Sequence, residues 1–376
     1  MPAPSTDVDA DLLVWAHSPV SPEELKEDDS EVPRPTAPSL RAAYRKAMES
    51  SAQRDVALVS VATLLPTLAP LRAALLAALC GALVEEGGDP QVAFEPALKT
   101  LAAVLANLAP YLAKAPYNED VADDDADEDM SAEERADQAV LRAHWRKARS
   151  ALDALSADER SRVAEQQKAA DTLVPPLMAM LMRSQVNHRR YLAQSSLMQA
   201  IDSAAQNETL PMDMLFYLHR AARLSYEDEV AVVVPGTTTG ALVRVHAVDS
   251  TFHALALVQR MMAADAEHWD VAPSVREALN AATREDEAQF HWLTDGAYAQ
   301  GTLVNAAALA WGEAPLRTLP RRGGRVLLYA ADLGLGPRRG WNGLGMPLHS
   351  EQRAHVALVR TLTPVEVHDY LDDAAP

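Results

Sequence analysis

At 376 residues the chain is longer than a single hydrophobic core usually serves, so two domains are expected. Its hydrophobic share of 48% and charged share of 23% are those of an ordinary folded protein. The net charge of −19 argues against a general electrostatic grip on nucleic acid or on an anionic membrane.

That charge is concentrated. Residues 1–32 carry nine acids and one lysine, and residues 117–137 carry eleven acids and one arginine, so the remainder is close to neutral. Residues 1–38 are also rich in proline and read as a disordered or extended acidic arm. Inside the arm, Leu12-Leu13-Val14-Trp15-Ala16 is an apolar island. It either lies back on its own fold or uses Leu12, Leu13 and Trp15 to anchor the arm in a partner's groove or sheet edge. The first residues have neither a basic nor an apolar signal region, so a cytoplasmic location is expected.

A helical domain is expected over 39–226, with Ser39 as its first cap. The apolar stretch Val56–Val84 is long enough for a membrane span, but Pro66, Pro70 and Arg72 cut it into short, nearly buried helices. The single cysteine, Cys80, lies in that pattern as a small core residue and has no internal disulfide partner. Leucines at 98, 101, 105, 108 and 112 have helical spacing. In the acidic run that follows, Asp123, Asp125 and Asp127 alternate as in a calcium loop. Glu128 stands where such a loop needs glycine, so 117–130 reads as a mobile, solvated loop without metal. Ser131 opens a helix to about Leu155, and Ser156 caps another that ends at Pro175-Pro176. Met178, Met180 and Met182 read as core filler, and His188-Arg189-Arg190 as a solvated helix face. Further helices are expected near 186–205 and 211–224.

Residues 227–376 have a different character. Two valine-rich runs flank Pro235-Gly236-Thr237-Thr238-Thr239-Gly240, and Asp249-Ser250-Thr251 precedes an apolar segment ending at Met261-Met262. The pattern is strand, turn, strand, capped helix. A short helix is expected at Pro273–Ala282, a hairpin around Asp295-Gly296, and strands at Arg325–Ala331 and Val356–Leu362. Thr363 and Pro364 start a terminal helix. The expected fold class is therefore α+β: a mostly α-helical N-terminal domain followed by a smaller mixed module.

Six segments of the second half appear in a fixed order: Leu242–His246, Phe252-His253-Ala254-Leu255, Trp311-Gly312-Glu313, Arg325–Tyr329, Arg339-Gly340-Trp341-Asn342 and Leu362–Val367. In this the chain resembles, over about 229–372, the C-terminal region of a group of uncharacterised bacterial proteins. The resemblance implies that the region is one unit and that the chain is bacterial. It carries no activity with it.

Eleven histidines are scattered without an HExxH spacing, and no GxSxG, phosphate-loop or kinase motif occurs. The catalytic or metal candidates are His246, Asp249 and His253, with His291 as a further contributor. The alternative is a sheet histidine beside an aspartate that caps the helix. Residues 317–339 hold six arginines and one acid, Asp332. Arg321, Arg322, Arg325, Arg338 and Arg339, with Trp341 to stack, form a candidate anion site, or else a solvated glycine-rich loop. No cofactor is expected. The function expected is that of a non-enzymatic, cytoplasmic protein-binding protein, immunity- or antitoxin-like or defence-associated, whose partner is another protein, a basic one among the options. Neither nucleic acid nor membrane is expected as a partner. The alternative is an enzyme or binder of a small anion built on the C-terminal module.

Overall fold

A computed structural model describes residues 10–21, 37–112, 150, 153–207, 210, 212–234, 236–265, 269, 287–290, 293–294, 298–299, 302–303, 315–316, 321–329, 339–342 and 354–371. The chain divides into two compact units, Met1–Ala222 and Arg223–Pro376. The first is helical and the second is built on a mixed sheet, an α+β fold. The acidic loop 117–130, the helix anticipated at 273–282 and, apart from the helical positions 150 and 153 near its end, the one at 131–155 lie outside the described residues.

In the first unit the helices are α1 (Ala10–Ala16), α2 (Pro38–Ala47), α3 (Ser51–Leu64), α4 (Pro70–Glu85), α5 (Pro90–Leu112), α6 (Ala157–Met182), α7 (Gln185–Leu192), α8 (Ser195–Ala205) and α9 (Leu215–Ala221). Proline begins α2, α4 and α5, where its fixed φ suits the first turn and its missing N–H costs nothing. This displaces Ser39 from the expected cap: Ala37 precedes Pro38, and Ser39 lies inside the helix. The apolar stretch breaks at a 3-10 turn, Leu65–Thr67. Beyond it α4 is apolar almost all round and buried on nearly every side, Cys80 included. Helix α5 buries all five of the spaced leucines. It begins eight residues before that spacing does and runs through Pro96. Among the described residues it is the one helix long and apolar enough to cross a membrane.

Helix α6 opens with a full capping box between Ser156 and Glu159. It does not stop at Pro175-Pro176 but continues to Met182. Leu173, Val174, Leu177, Met180 and Leu181 on either side are buried, and that burial outweighs the backbone bonds the prolines remove. The short α7 is joined to its neighbours by buried polar side chains. Asn187 Nδ2 donates to the carbonyls of Pro90 (2.8 Å) and Met180 (3.1 Å). Tyr191 Oη donates to Leu218 O at 3.0 Å, and His188 Nε2 lies 2.9 Å from Ala221 O. His188 is therefore an interior tie and not part of a solvated face, while Arg189 and Arg190 remain exposed.

The second unit contains β1 (Ser225–Val233), β2 (Gly240–Val248), α10 (Thr251–Ala264), β3 (Glu287–Phe290), β4 (Leu293–Thr294), β5 (Tyr298–Ala299), β6 (Thr302–Leu303), β7 (Arg321–Arg322), β8 (Arg325–Tyr329), β9 (Arg339–Asn342), β10 (His355–Thr361) and α11 (Pro364–Leu371). The main sheet runs β10-β2-β1-β8-β4, with β7 paired to β8. All neighbours are antiparallel except β1 and β8. The expected hairpin across 295–296 does not form as a pair of its own: β4 joins β8, and β5 joins β6. Strands of two residues pair where a longer strand or a close turn offers an edge. The tight turn that does form is Gly323-Gly324, both at positive φ, linking β7 to β8.

The valine runs lack polar alternation because both faces of the sheet are covered. Val230, Val232, Val243, Val245, Val326 and Leu328 pack with α10 on one side. Ala231, Val233, Leu242 and Leu327 pack on the other with Leu362 and with Val367 and Leu371 of α11. Gly240 admits this approach: a Cβ there would lie 3.0 Å from Val367 Cγ2 and 2.9 Å from Val232 O.

Candidate functional site

Ser250, not Asp249, caps α10, with its Oγ accepting the His253 N–H at 3.3 Å. Asp249 is fully buried at the β2–α10 junction. Its backbone N–H donates to His253 Nδ1 (3.3 Å), and its Oδ1 lies 3.6 Å from that same nitrogen. Just before this junction Ala247 has φ +54, the left-handed region an L-residue enters at a cost. It is the residue skipped between the register pairs Ser225↔Val248 and Tyr226↔His246, a β-bulge.

His246 is engaged elsewhere. Its ring stacks on His355 of β10, 4.8 Å between centroids at 23°, and meets Tyr226 of β1 edge to face at 5.0 Å. The three residues pair in register across β1, β2 and β10 and form one aromatic row. Burial pushes the Tyr226 phenol up. Next to it runs an ionic row: Glu229 takes Arg325 Nε at 3.0 Å and Arg244 Nη2 at 3.3 Å. The Arg325 hydrogen bond, followed by that of Arg244, lowers the Glu229 pKa.

Three of the candidate arginines, Arg321, Arg322 and Arg325, are thus turned to internal work. Arg321 pairs with Asp228 at 2.9 Å, and Arg322 donates to Tyr370 O at 2.7 Å. Arg339 and Trp341 stand in β9, opposite Phe290 and Ala288. Arg338 and His291 lie outside the described residues. The fold thus puts His246 among aromatic neighbours and Asp249 with His253, and it brings Arg325 to Glu229. Among the described residues no group of three or more histidines, cysteines or carboxylates is placed to hold a metal.

Of the N-terminal island, Leu12 is buried in α1 and Trp15 is partly covered by the Arg72 guanidinium, 4.5 Å from its ring centre. Docked in this way, Leu12 reaches another protein only if α1 leaves its seat.

A feature absent from the candidates is the outer edge of β10. Among the described residues it ends the sheet order, and Leu358 (54% exposed) and Val359 (41%) stand in solvent, with Val365 (69%) of α11 following closely in the chain. A bulge between Leu358 and Arg360 interrupts its pairing with β2. Arg360 is held by Glu366 at 2.6 and 2.9 Å. The run of apolar residues marked a strand in the sequence, but nothing in it distinguishes an edge from an interior strand. An edge of this kind offers free backbone donors and acceptors beside apolar side chains, the requirements for adding a strand from another chain.

Compared with protein-family models, with curated proteins and with solved structures, the chain matches none.

Proposed function

We propose that the chain is a non-enzymatic binding protein that acts through protein–protein contacts, with β10 as the strand to which a partner's extended segment adds. The observation that carries this reading is the exposed apolar edge of β10, where Leu358 and Val359 project into solvent. Single exposed apolar side chains are common, but two together on the last strand of a sheet are a liability for a protein that does not use them. The net charge of −19 supports a basic partner and an immunity- or antitoxin-like role, in which attraction steers the encounter and the strand contact holds it. The resemblance of residues 229–372 to bacterial proteins supports a bacterial setting.

The test compares the wild-type chain with Val359→Pro, which removes a backbone donor and adds bulk at the edge. Proteins that co-purify with the wild type from its host are expected to be lost with the variant. Their addition to the wild type should slow amide exchange along residues 355–361. Unchanged capture by a folded Val359→Pro protein would remove the reading.

A further inference from the structure

The contact between α1 and α4 has the form of ligand recognition within one chain. Helix α1 has seven residues, too few to be stable alone in water, so its docking orders it. Leu12 and Ala16 are buried. At its C-terminal end Arg72, only 2% exposed on an otherwise apolar helix, reads the turn that follows. Its Nε donates to Ser18 O (3.2 Å), and its Nη2 donates to Ser18 Oγ (3.2 Å) and Pro19 O (2.8 Å). The same guanidinium lies over Trp15, and Ser18 Oγ donates to Trp15 O at 2.7 Å. A buried guanidinium spending its donors on main-chain carbonyls recognises a shape, a helix end followed by a turn.

The seat extends past Leu12. Beside Leu12 an apolar groove of about 300 Å³ continues between α2 and α3, lined by Ala43, Ala47, Val56, Ala57 and Val61. Lys46 also lines it. A helix with larger apolar side chains around the Leu12 position would fill that groove, and acids in its first turn would stand near Lys46. Asp11 already holds such a position in α1.

We propose that the face formed by α2, α3 and α4 around Arg72 is a helix-in-groove recognition site, occupied in cis by residues 10–19. Its occupant in trans is a partner's amphipathic helix with leucine and tryptophan three residues apart, acidic in its first turn and closed by a turn whose carbonyls meet Arg72. Helix α1 is then a resident ligand that the partner must displace. Because it is tethered, it competes at a high effective concentration. This inference stands apart from β10 and does not depend on it.

The probe is a fluorescent peptide of residues 3–21 of this chain, added to the full chain. Leu12→Asp with Trp15→Ser weakens the resident helix, and this chain is expected to bind the probe at least about tenfold more tightly than the wild type does. Adding Ala57→Trp, which fills the groove, is expected to abolish that binding. If the weakened chain loses its helical circular dichroism, a protease site placed within 22–36 and cut after folding frees α1 without altering it. The probe should then exchange with the cut segment. The proposal is overturned if a folded, released chain binds the probe no better than the wild type, or if Ala57→Trp leaves binding intact. It is overturned too if both released forms unfold, since α1 is then simply core. A wild-type dimer that depends on concentration and disappears with Leu12→Asp and Trp15→Ser would replace the partner with a second copy.

Discussion

Gly81 of α4 faces Pro176 of α6 so closely that a Cβ on the glycine would lie 2.7 Å from both Cα and Cβ of the proline. Backbone meets ring with no intervening side chain. The two helices share the most extensive helix–helix contact of the first unit, and this glycine sets how near they come.

Gly81→Ala therefore destabilises the first unit although alanine is the better helix former. The atoms it meets are main chain and ring, which cannot rotate away. The expected loss is on the order of 1–3 kcal/mol, read by urea unfolding. A gain in stability would mean that α4 and α6 shift apart at no cost.

Asp171, also on α6, is held with its carboxyl pushed up to about 7, first by burial and then by the nearby Asp213 charge. Its Oδ1 is buried without a hydrogen bond. A carboxyl whose folded pKa is raised opposes folding once it ionises. The first unit thus weakens as pH rises from about 4 to about 7 and levels off above that. Asp171→Asn removes this penalty: at pH 8 it is expected to be more stable than the wild type, by at most about 4 kcal/mol. At pH 4 the two should be alike. An equal difference at both pH values would show that the charge is not the cause.

Ala247 stands at φ +54 in the bulge that leads into Asp249. Glycine there gives up about 0.5–1 kcal/mol of unfolded-state entropy and recovers a strain of about 1–2 kcal/mol. Ala247→Gly should thus leave the melting temperature nearly unchanged or raise it. Ala247→Val, branched at Cβ in the same conformation, should lower it and disturb the stacking of His246 on His355, visible in the histidine ring resonances. Valine tolerated without change would argue against the bulge.

Arg360 of β10 and Glu366 of α11 couple the sheet edge to the terminal helix. The Arg360 hydrogen bonds, with those from Thr363, hold the Glu366 carboxyl down at about 2. A lowered carboxylate contributes stability that is present above its unfolded pKa and lost as pH falls toward the folded value, here between about 4.5 and 2. Glu366→Gln should loosen α11 at pH 7, detected as faster amide exchange over 364–371. It should lose less than the wild type on acidification. Identical exchange in the two proteins would show that Thr363 and the apolar contacts of Val367 and Leu371 suffice.

The features legible in the sequence are those decided within a few residues. Pro364 at the first turn of α11, the Ser156–Glu159 box and the leucine spacing of α5 all act through bonds or packing one turn away, so their patterns survive in one dimension. The valine runs around 240 likewise announced a strand pair, and the α+β class followed from helices first and strands after. The tertiary structure alone decided the rest. Arg325 reaches Glu229 across 96 residues, and His246 finds His355 only because β10 returns to the edge beside β2. Helix α6 passes through Pro175-Pro176 because α4 covers it there, and His188 is interior because α9 ends above it. Which strand lies outermost, which arginine meets which acid and where α1 docks depend on closing long loops into one register. Local preference is nearly silent on those choices, and packing settles them.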